Sequence, residues 1–134
     1  MTKLIKWLSE ANNLLSIAIL YTLLVTVVFL LPTNNVPKLN LPFLDKLIHV
    51  MIHWVLCFIW LWHSFLGDKS HFFTKYIIVI LGVCFSYGVL IEALQHWFTQ
   101  SRKFDLFDIL ANGIGCLLGL LFFWIIRKKL STEV

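Results

Sequence analysis

Nine polar residues in the middle and last thirds of the chain could bind or act on a ligand. They are Asp45, Lys46, His49, His53, Glu92, Gln95, Arg102, Asp108 and Asn112. The carboxylates and imidazoles in this set can exchange protons, and the arginine and lysine can bind phosphate. Asp45 and His49 are four residues apart, so they share one face if their segment is helical.

Four long apolar segments carry or border these polar residues. The protein has 134 residues, of which 60% are hydrophobic and 13% are charged. A chain this short cannot bury so many apolar side chains, so much of its surface must face lipid. The segments 14–31, 47–66, 76–98 and 106–126 are solidly apolar, and each has near the roughly 20 residues that a helix needs to cross a bilayer. We therefore predict an all-α integral membrane bundle of four transmembrane helices, forming one domain over residues 1–134.

The distribution of positive charge predicts the orientation in the membrane. Four spans place both termini and the middle loop on one side. Seven of the 11 lysines and arginines fall on that side: Lys3, Lys6, Lys69, Lys75, Arg127, Lys128 and Lys129. Because positive residues are retained on the cytoplasmic side, we predict a multi-pass inner-membrane protein with both termini in the cytoplasm. Contact with anionic membrane lipids then explains the net charge of +4, and we expect no nucleic-acid partner.

The polar residues collect at one depth of the predicted bundle. Asp45 begins the second span, and His49 lies one turn deeper. Glu92 lies about 9 Å below the outer end of the third span, at 1.5 Å per residue. Asp108 and Asn112 occupy the outer end of the fourth span. Ionisable groups within a bilayer are costly, so their collection in the outer third indicates a functional site.

Two helical faces combine these polar residues with glycines. They consist of Gly88, Glu92 and Gln95 on the third span, and of Asp108, Asn112, Gly115 and Gly119 on the fourth. Small residues allow transmembrane helices to approach closely. We therefore predict that the second, third and fourth spans surround one polar pocket that opens outward. Asp105 directly precedes the fourth span, where a carboxylate can cap the first backbone amides.

The order of these motifs resembles that of the VanZ-like membrane proteins. The resemblance is carried by Asp45-Lys46-x-x-His49, by Tyr87-Gly88-x-x-x-Glu92-x-x-Gln95, by Arg102, and by Asp108-x-x-x-Asn112-x-x-Gly115-x-x-x-Gly119. It covers more than half of the chain, from Asp45 to Gly119. His53 departs from it, since the family pattern often has an aromatic hydroxyl residue there. The resemblance implies a role in the cell envelope, and the founding member is associated with resistance to the glycopeptide teicoplanin.

The first of four function classes is lipid recognition. The outward pocket would bind the anionic head group of an envelope lipid or a lipid-linked precursor. Arg102 and Lys46 would contact its phosphate, arginine through a planar fork of donors and lysine as a point charge. Arg102 could instead be the ion-pair partner of Glu92 or Asp108.

Three other classes remain open. One is a metal-dependent membrane hydrolase with ligands from His49, His53, Glu92, His96 and Asp108, although the chain lacks the H-E-x-x-H arrangement. Another is a proton-coupled exporter that uses Glu92, although a site near one face differs from the midplane sites of transporters. The last is a non-catalytic subunit, in which the polar residues only join helices.

The sequence identifies no catalytic residue and predicts no metal or other cofactor. Cys57, Cys84 and Cys116 lie in three separate spans, with neither metal-ligand nor disulfide spacing. We therefore expect the cysteines to be small apolar packing residues.

Overall fold

Four helices form the protein in a computed structural model that describes residues 10–31, 43–67, 74–98 and 104–132. The helices are α1 (Ala11–Leu30), α2 (Leu44–Gly67), α3 (Thr74–Phe98) and α4 (Leu106–Thr132). All four are long and apolar enough to cross a membrane. The predicted all-α, four-span architecture is therefore confirmed. The helix bounds lie within six residues of the predicted segments, and α4 extends furthest beyond its segment, to Thr132.

The outer surface of the bundle is apolar and its interior contains the polar residues. Leu20, Ile78 and Leu117 expose 69%, 64% and 62% of their surface, one on each of three helices. In contrast, six polar residues are buried: His49, His53, Glu92, Gln95, Asp108 and Asn112. Such an apolar surface is stable only against lipid. The exposed side chains therefore confirm that this is a membrane protein.

Helices α2 and α4 form the most extensive contact between two helices in the described structure. Their backbones meet at Gly115 and Gly119. A Cβ atom on Gly115 would collide with the carbonyl oxygen of Val50, and one on Gly119 would lie 2.7 Å from the carbonyl oxygen of Trp54. Glycine at both positions is therefore required for this close approach, as the G-x-x-x-G spacing predicts.

Helix α1 joins the bundle through hydroxyl groups. The hydroxyls of Thr26 on α1 and Tyr87 on α3 are 2.8 Å apart and share a hydrogen bond. The Tyr21 hydroxyl donates to the carbonyl oxygen of Ile52 on α2 at 3.2 Å. Such bonds fix the rotation of α1 in a medium where apolar contact alone gives little preference.

The three cysteines meet in the core although the sequence separates them by more than 25 residues. Cys57, Cys84 and Cys116 are all buried and free. They belong to one cluster that also contains Phe123 and Leu61. Their position in this cluster agrees with the expected role in packing.

Replacing Gly115 by alanine tests the contact between α2 and α4. The added methyl group meets a backbone carbonyl that cannot rotate away, so we expect a loss of about 1–3 kcal/mol in the free energy of unfolding. Gly82→Ala is the matched control, because a Cβ there meets no atom within 4 Å. Thermal unfolding of the purified variants measures both effects. Equal stability of the two variants would contradict the proposed close approach.

Candidate functional site

A cluster of polar side chains lies where α2 begins, α3 ends and α4 begins. We call it the polar cluster. Its buried members are His49, His53, Glu92, Gln95, Asp108 and Asn112, and its rim contains Asp45, Lys46 and Asp105. The structure thus brings together eight of the nine residues that the sequence singled out. Arg102, the ninth, lies outside the described residues.

Lys46 is the electrostatic centre of the rim. Its ammonium lies 2.6 Å from Asp105 Oδ2, 2.8 Å from Asp108 Oδ1 and 3.3 Å from Asp45 Oδ2. The lysine on α2 is thereby ion-paired with two carboxylates at the start of α4. Three carboxylates around one ammonium partly offset the positive charge that Lys46 could offer to a phosphate.

Asp105 links three helices through three different atoms. Its Oδ1 accepts a hydrogen bond from the backbone N–H of Phe107 at 2.8 Å, which caps α4 as predicted. Its Oδ2 binds Lys46 on α2. Its own backbone N–H donates to Glu92 Oε1 on α3 at 2.9 Å. The hydrogen bond from Lys46, with the amide of Phe107, lowers the pKa of the Asp105 carboxyl below its ordinary value.

The two histidines of α2 are held by their Nδ1 atoms. His49 Nδ1 lies 3.0 Å from Asn112 Oδ1, and His53 Nδ1 lies 3.2 Å from the backbone oxygen of His49. Carbonyl oxygens only accept hydrogen bonds, so each Nδ1 carries the hydrogen. In the neutral ring, each Nε2 then has a free lone pair. Phe29 of α1 stacks on the His49 ring, with 4.7 Å between centroids.

Four buried side chains of the polar cluster use one polar atom and leave another without a partner. Within the described parts of the chain, His49 Nε2, His53 Nε2, Glu92 Oε2 and Asn112 Nδ2 form no hydrogen bond. Buried polar atoms are almost always paired, because an unpaired one costs about 1–3 kcal/mol. Each of these side chains is therefore fixed by the protein at one atom and can bind a ligand at the other.

Gly88 allows α3 to approach two of these unpaired atoms. A Cβ at this position would lie 2.7 Å from His53 Nε2 and 2.8 Å from Asn112 Nδ2. Gly88, Glu92 and Gln95, which were predicted to share one face of α3, are all buried. Gln95 donates through Nε2 to the backbone oxygen of Phe29 at 3.0 Å, a contact that joins α3 to α1.

Sequence reasoning did not foresee three features of the site. It assigned Lys46 to a ligand, whereas the ammonium is surrounded by carboxylates. It treated Asp105 only as a cap, although its backbone also binds Glu92. It included His96 among possible metal ligands, but that side chain is exposed. The adjacency of Asp45 and Lys46 in the sequence was a signal for an ion pair. Only the packing of α2 on α4 identifies Asp105 and Asp108 as the other partners of Lys46.

The fold and the site together define a four-span membrane protein with polar groups enclosed between its helices. The chain belongs to the VanZ/LLP1 family, whose model matches residues 7–127. The resemblance that the motifs suggested is thus confirmed.

The chain is also similar to an uncharacterized protein of the yeast Schizosaccharomyces pombe. The two are 32% identical over 98 residues, which are 73% of this chain and 57% of the relative. The chain therefore spans only a little more than half of the relative's length. No solved structure matches the chain.

Two substitutions at Asp105 separate its capping role from its ion pair. Asp105→Asn keeps an oxygen for the Phe107 amide and loses the charge beside Lys46, whereas Asp105→Ala loses both. We expect alanine to cost about 1 kcal/mol more than asparagine in the free energy of unfolding, the usual contribution of an N-cap. Chemical denaturation of the purified variants measures this difference, and equal losses would refute the capping role.

The lowered pKa of Asp105 also gives the sign of a pH effect. The ionised carboxylate contributes stability above the ordinary pKa of aspartate, and that contribution disappears as the pH falls through the lowered pKa of the folded state. The difference in unfolding free energy between wild type and Asp105→Asn should therefore shrink under acidic conditions. A difference that grows on acidification would contradict the ion pair with Lys46.

Proposed function

We propose that the polar cluster binds the head group of an anionic envelope lipid or a lipid-linked precursor. The observation that carries this proposal is that His49, His53, Glu92 and Asn112 each have a buried polar atom with no hydrogen-bond partner among the described residues. In a bilayer, no water compensates such atoms, so their retention favours a bound polar molecule. Each is on a side chain whose other polar atom is fixed, which is the arrangement of a preformed binding site.

The charges of the cluster favour a particular way of binding. Glu92 and Asp108 are buried carboxylates, which suit hydroxyl or amine groups of the ligand rather than its phosphate. Lys46 is already paired with three carboxylates. We therefore assign the phosphate chiefly to Arg102, which precedes Asp105 by three residues in the sequence. Its guanidinium can form two parallel charge-assisted hydrogen bonds with phosphate.

The membrane setting supports a lipid as the ligand. The helices that enclose the cluster expose apolar side chains such as Leu47, Leu90 and Leu110 to the surrounding hydrocarbon. A lipid can keep its tails in the bilayer while its head group reaches between the helices. The family resemblance adds the expectation of a role in the cell envelope, and with it a link to glycopeptide resistance.

We further propose that the polar cluster faces outward across an inner membrane, with both termini in the cytoplasm. The count of seven lysines and arginines on the opposite side against four on the cluster side supports this orientation. Arg127, on the last part of α4, lies 5.1 Å from the Phe65 ring and 5.0 Å from the Trp124 ring. A cation packed on aromatic rings is typical of the membrane interface.

Lipid mass spectrometry on the gently purified protein tests the binding proposal. Glu92→Gln keeps an oxygen for the Asp105 amide but changes the atom offered to the ligand, so we expect a several-fold loss of co-purified anionic lipid without loss of folded protein. Arg102→Lys should reduce the lipid as well, because the fork of donors is lost. Arg127→Lys is the matched control and should retain the lipid.

Equal amounts of anionic lipid in wild type and both cluster variants, or none in wild type, would contradict the proposal. If Glu92→Gln instead destabilises the protein as much as Gly115→Ala does, Glu92 has a structural role. Size-exclusion chromatography and thermal unfolding of the same preparations distinguish that case.

Cysteine labelling tests the proposed orientation. In a background without the native cysteines, Asn35→Cys and Gln100→Cys should react with an impermeant thiol reagent in intact cells. Lys69→Cys should react only after the membrane is opened. Labelling of Lys69→Cys alone in intact cells would invert the orientation.

A further inference from the structure

We propose that Asp45, His49 and Asp108 form a binding site for one divalent transition-metal ion, such as zinc or manganese. One ligand atom from each residue lies within 4.8 Å of the other two. His49 and Asp108 are 1% and 6% exposed, whereas Asp45 is exposed at the rim. An ion could therefore enter past Asp45 and be held between two buried donors.

His49 provides the observation that points to a cation. Its Nδ1–H donates to Asn112 Oδ1, so its Nε2 has a lone pair in the neutral ring. This Nε2 is buried and forms no hydrogen bond among the described residues, and it lies 3.9 Å from Asp108 Oδ2. A lone pair that faces a carboxylate oxygen is unfavourable unless a proton or a metal ion lies between them.

Asn112 has the position of a residue that orients a metal ligand. Histidines that bind metals almost always donate their other ring N–H to an oxygen, which fixes the tautomer and the ring. Asn112 accepts that hydrogen bond here, and Phe29 stacks on the same ring. The His49 imidazole is therefore held with Nε2 directed toward the carboxylates before any ion binds.

The distances suit an ion after a small adjustment. Ligand atoms at about 2.1 Å from a zinc ion lie roughly 3.4 Å apart at the tetrahedral angle. The separation of 3.9 Å between His49 Nε2 and Asp108 Oδ2 is only slightly longer. Asp108 can bind the ion through Oδ2 while Oδ1 keeps its contact with Lys46 at 2.8 Å. One imidazole and two carboxylates are donors that zinc, manganese and iron(II) accept, and three ligands leave positions open.

Lys46 is the competitor of such an ion. Its ammonium lies near oxygens of both Asp45 and Asp108 and partly neutralises them. Removing this ammonium increases the negative charge around the ion, so a metal bound by these residues should be held more tightly.

This inference does not depend on the proposed lipid, because the metal alone is the probe. It would, however, explain how an acidic cluster tolerates an anionic head group, since a bound cation supplies the positive charge that the paired Lys46 does not. Failure of metal binding would leave the lipid measurements unaffected.

Calorimetric titration of Zn²⁺ into the full-length, chelator-treated protein in detergent tests the site. We expect one ion per chain in wild type. His49→Gln and Asp108→Asn should each weaken binding at least tenfold, and Lys46→Gln should tighten it. His96→Gln is the matched control, because His96 is an exposed histidine on α3 near the same end of the bundle. It should bind like wild type.

A second measurement does not require the ligand variants to fold. Electron spin-echo spectroscopy of Mn²⁺ bound to the wild-type protein should show coupling to one imidazole nitrogen. The proposal is overturned by an absence of saturable binding in wild type, by an absence of nitrogen coupling, or by loss of binding in His96→Gln. Unchanged binding in correctly folded His49→Gln or Asp108→Asn would also overturn it.

Discussion

The backbones of α2 and α4 can approach closely because Gly115 and Gly119 present no side chains to the carbonyl oxygens of Val50 and Trp54. This contact determines the position of the polar groups nearer the end of the bundle. One turn beyond Gly115, Asn112 reaches His49, and a further turn brings Asp108 to Lys46. Larger residues at the glycine positions would separate the helices, and the polar side chains would then be buried without partners.

The polar residues between the helices fall into two groups, those that only join helices and those that also keep an unpaired polar atom. Gln95, which is buried, and Asp105, at the rim, bind other helices and stabilise the packing. His49, His53, Glu92 and Asn112 also bind neighbours, but each has a second polar atom without a partner in the described structure. A residue that only joined helices would gain stability by pairing both atoms. Side chains with one paired and one unpaired polar atom are therefore the ones that we propose to bind a ligand, and the others stabilise the fold.

The carboxylates of the polar cluster change the role that can be assigned to Lys46. Considered alone, Lys46 is a cation at the membrane surface and a natural phosphate ligand. In the structure, three carboxylates surround its ammonium within 3.3 Å, and its main role is to join α2 to the start of α4. The positive charge for an anionic head group must then come from another source. We propose Arg102 as one source, and a metal ion at Asp45, His49 and Asp108 as another.

The sequence by itself determined the four spans, their order and the position of each polar residue along its span. Hydrophobic segment length identifies a transmembrane helix, and the fixed rise per residue gives the depth of Glu92 or Asn112 along it. Helical spacing also showed that Gly115 and Gly119 share a face with Asp108 and Asn112, and the motifs indicated the family. These features depend only on residues close together in the chain.

Only the tertiary structure decided which atoms meet. Pairing depends on the rotation and separation of helices, which are set by packing between residues far apart in sequence. For this reason the contact between Lys46 and Asp105, 59 residues apart, could not be predicted. The same holds for the meeting of the three cysteines in one cluster. It holds as well for the grouping of Asp45 and His49 with Asp108, because only the approach of α4 to α2 brings the second carboxylate to the imidazole.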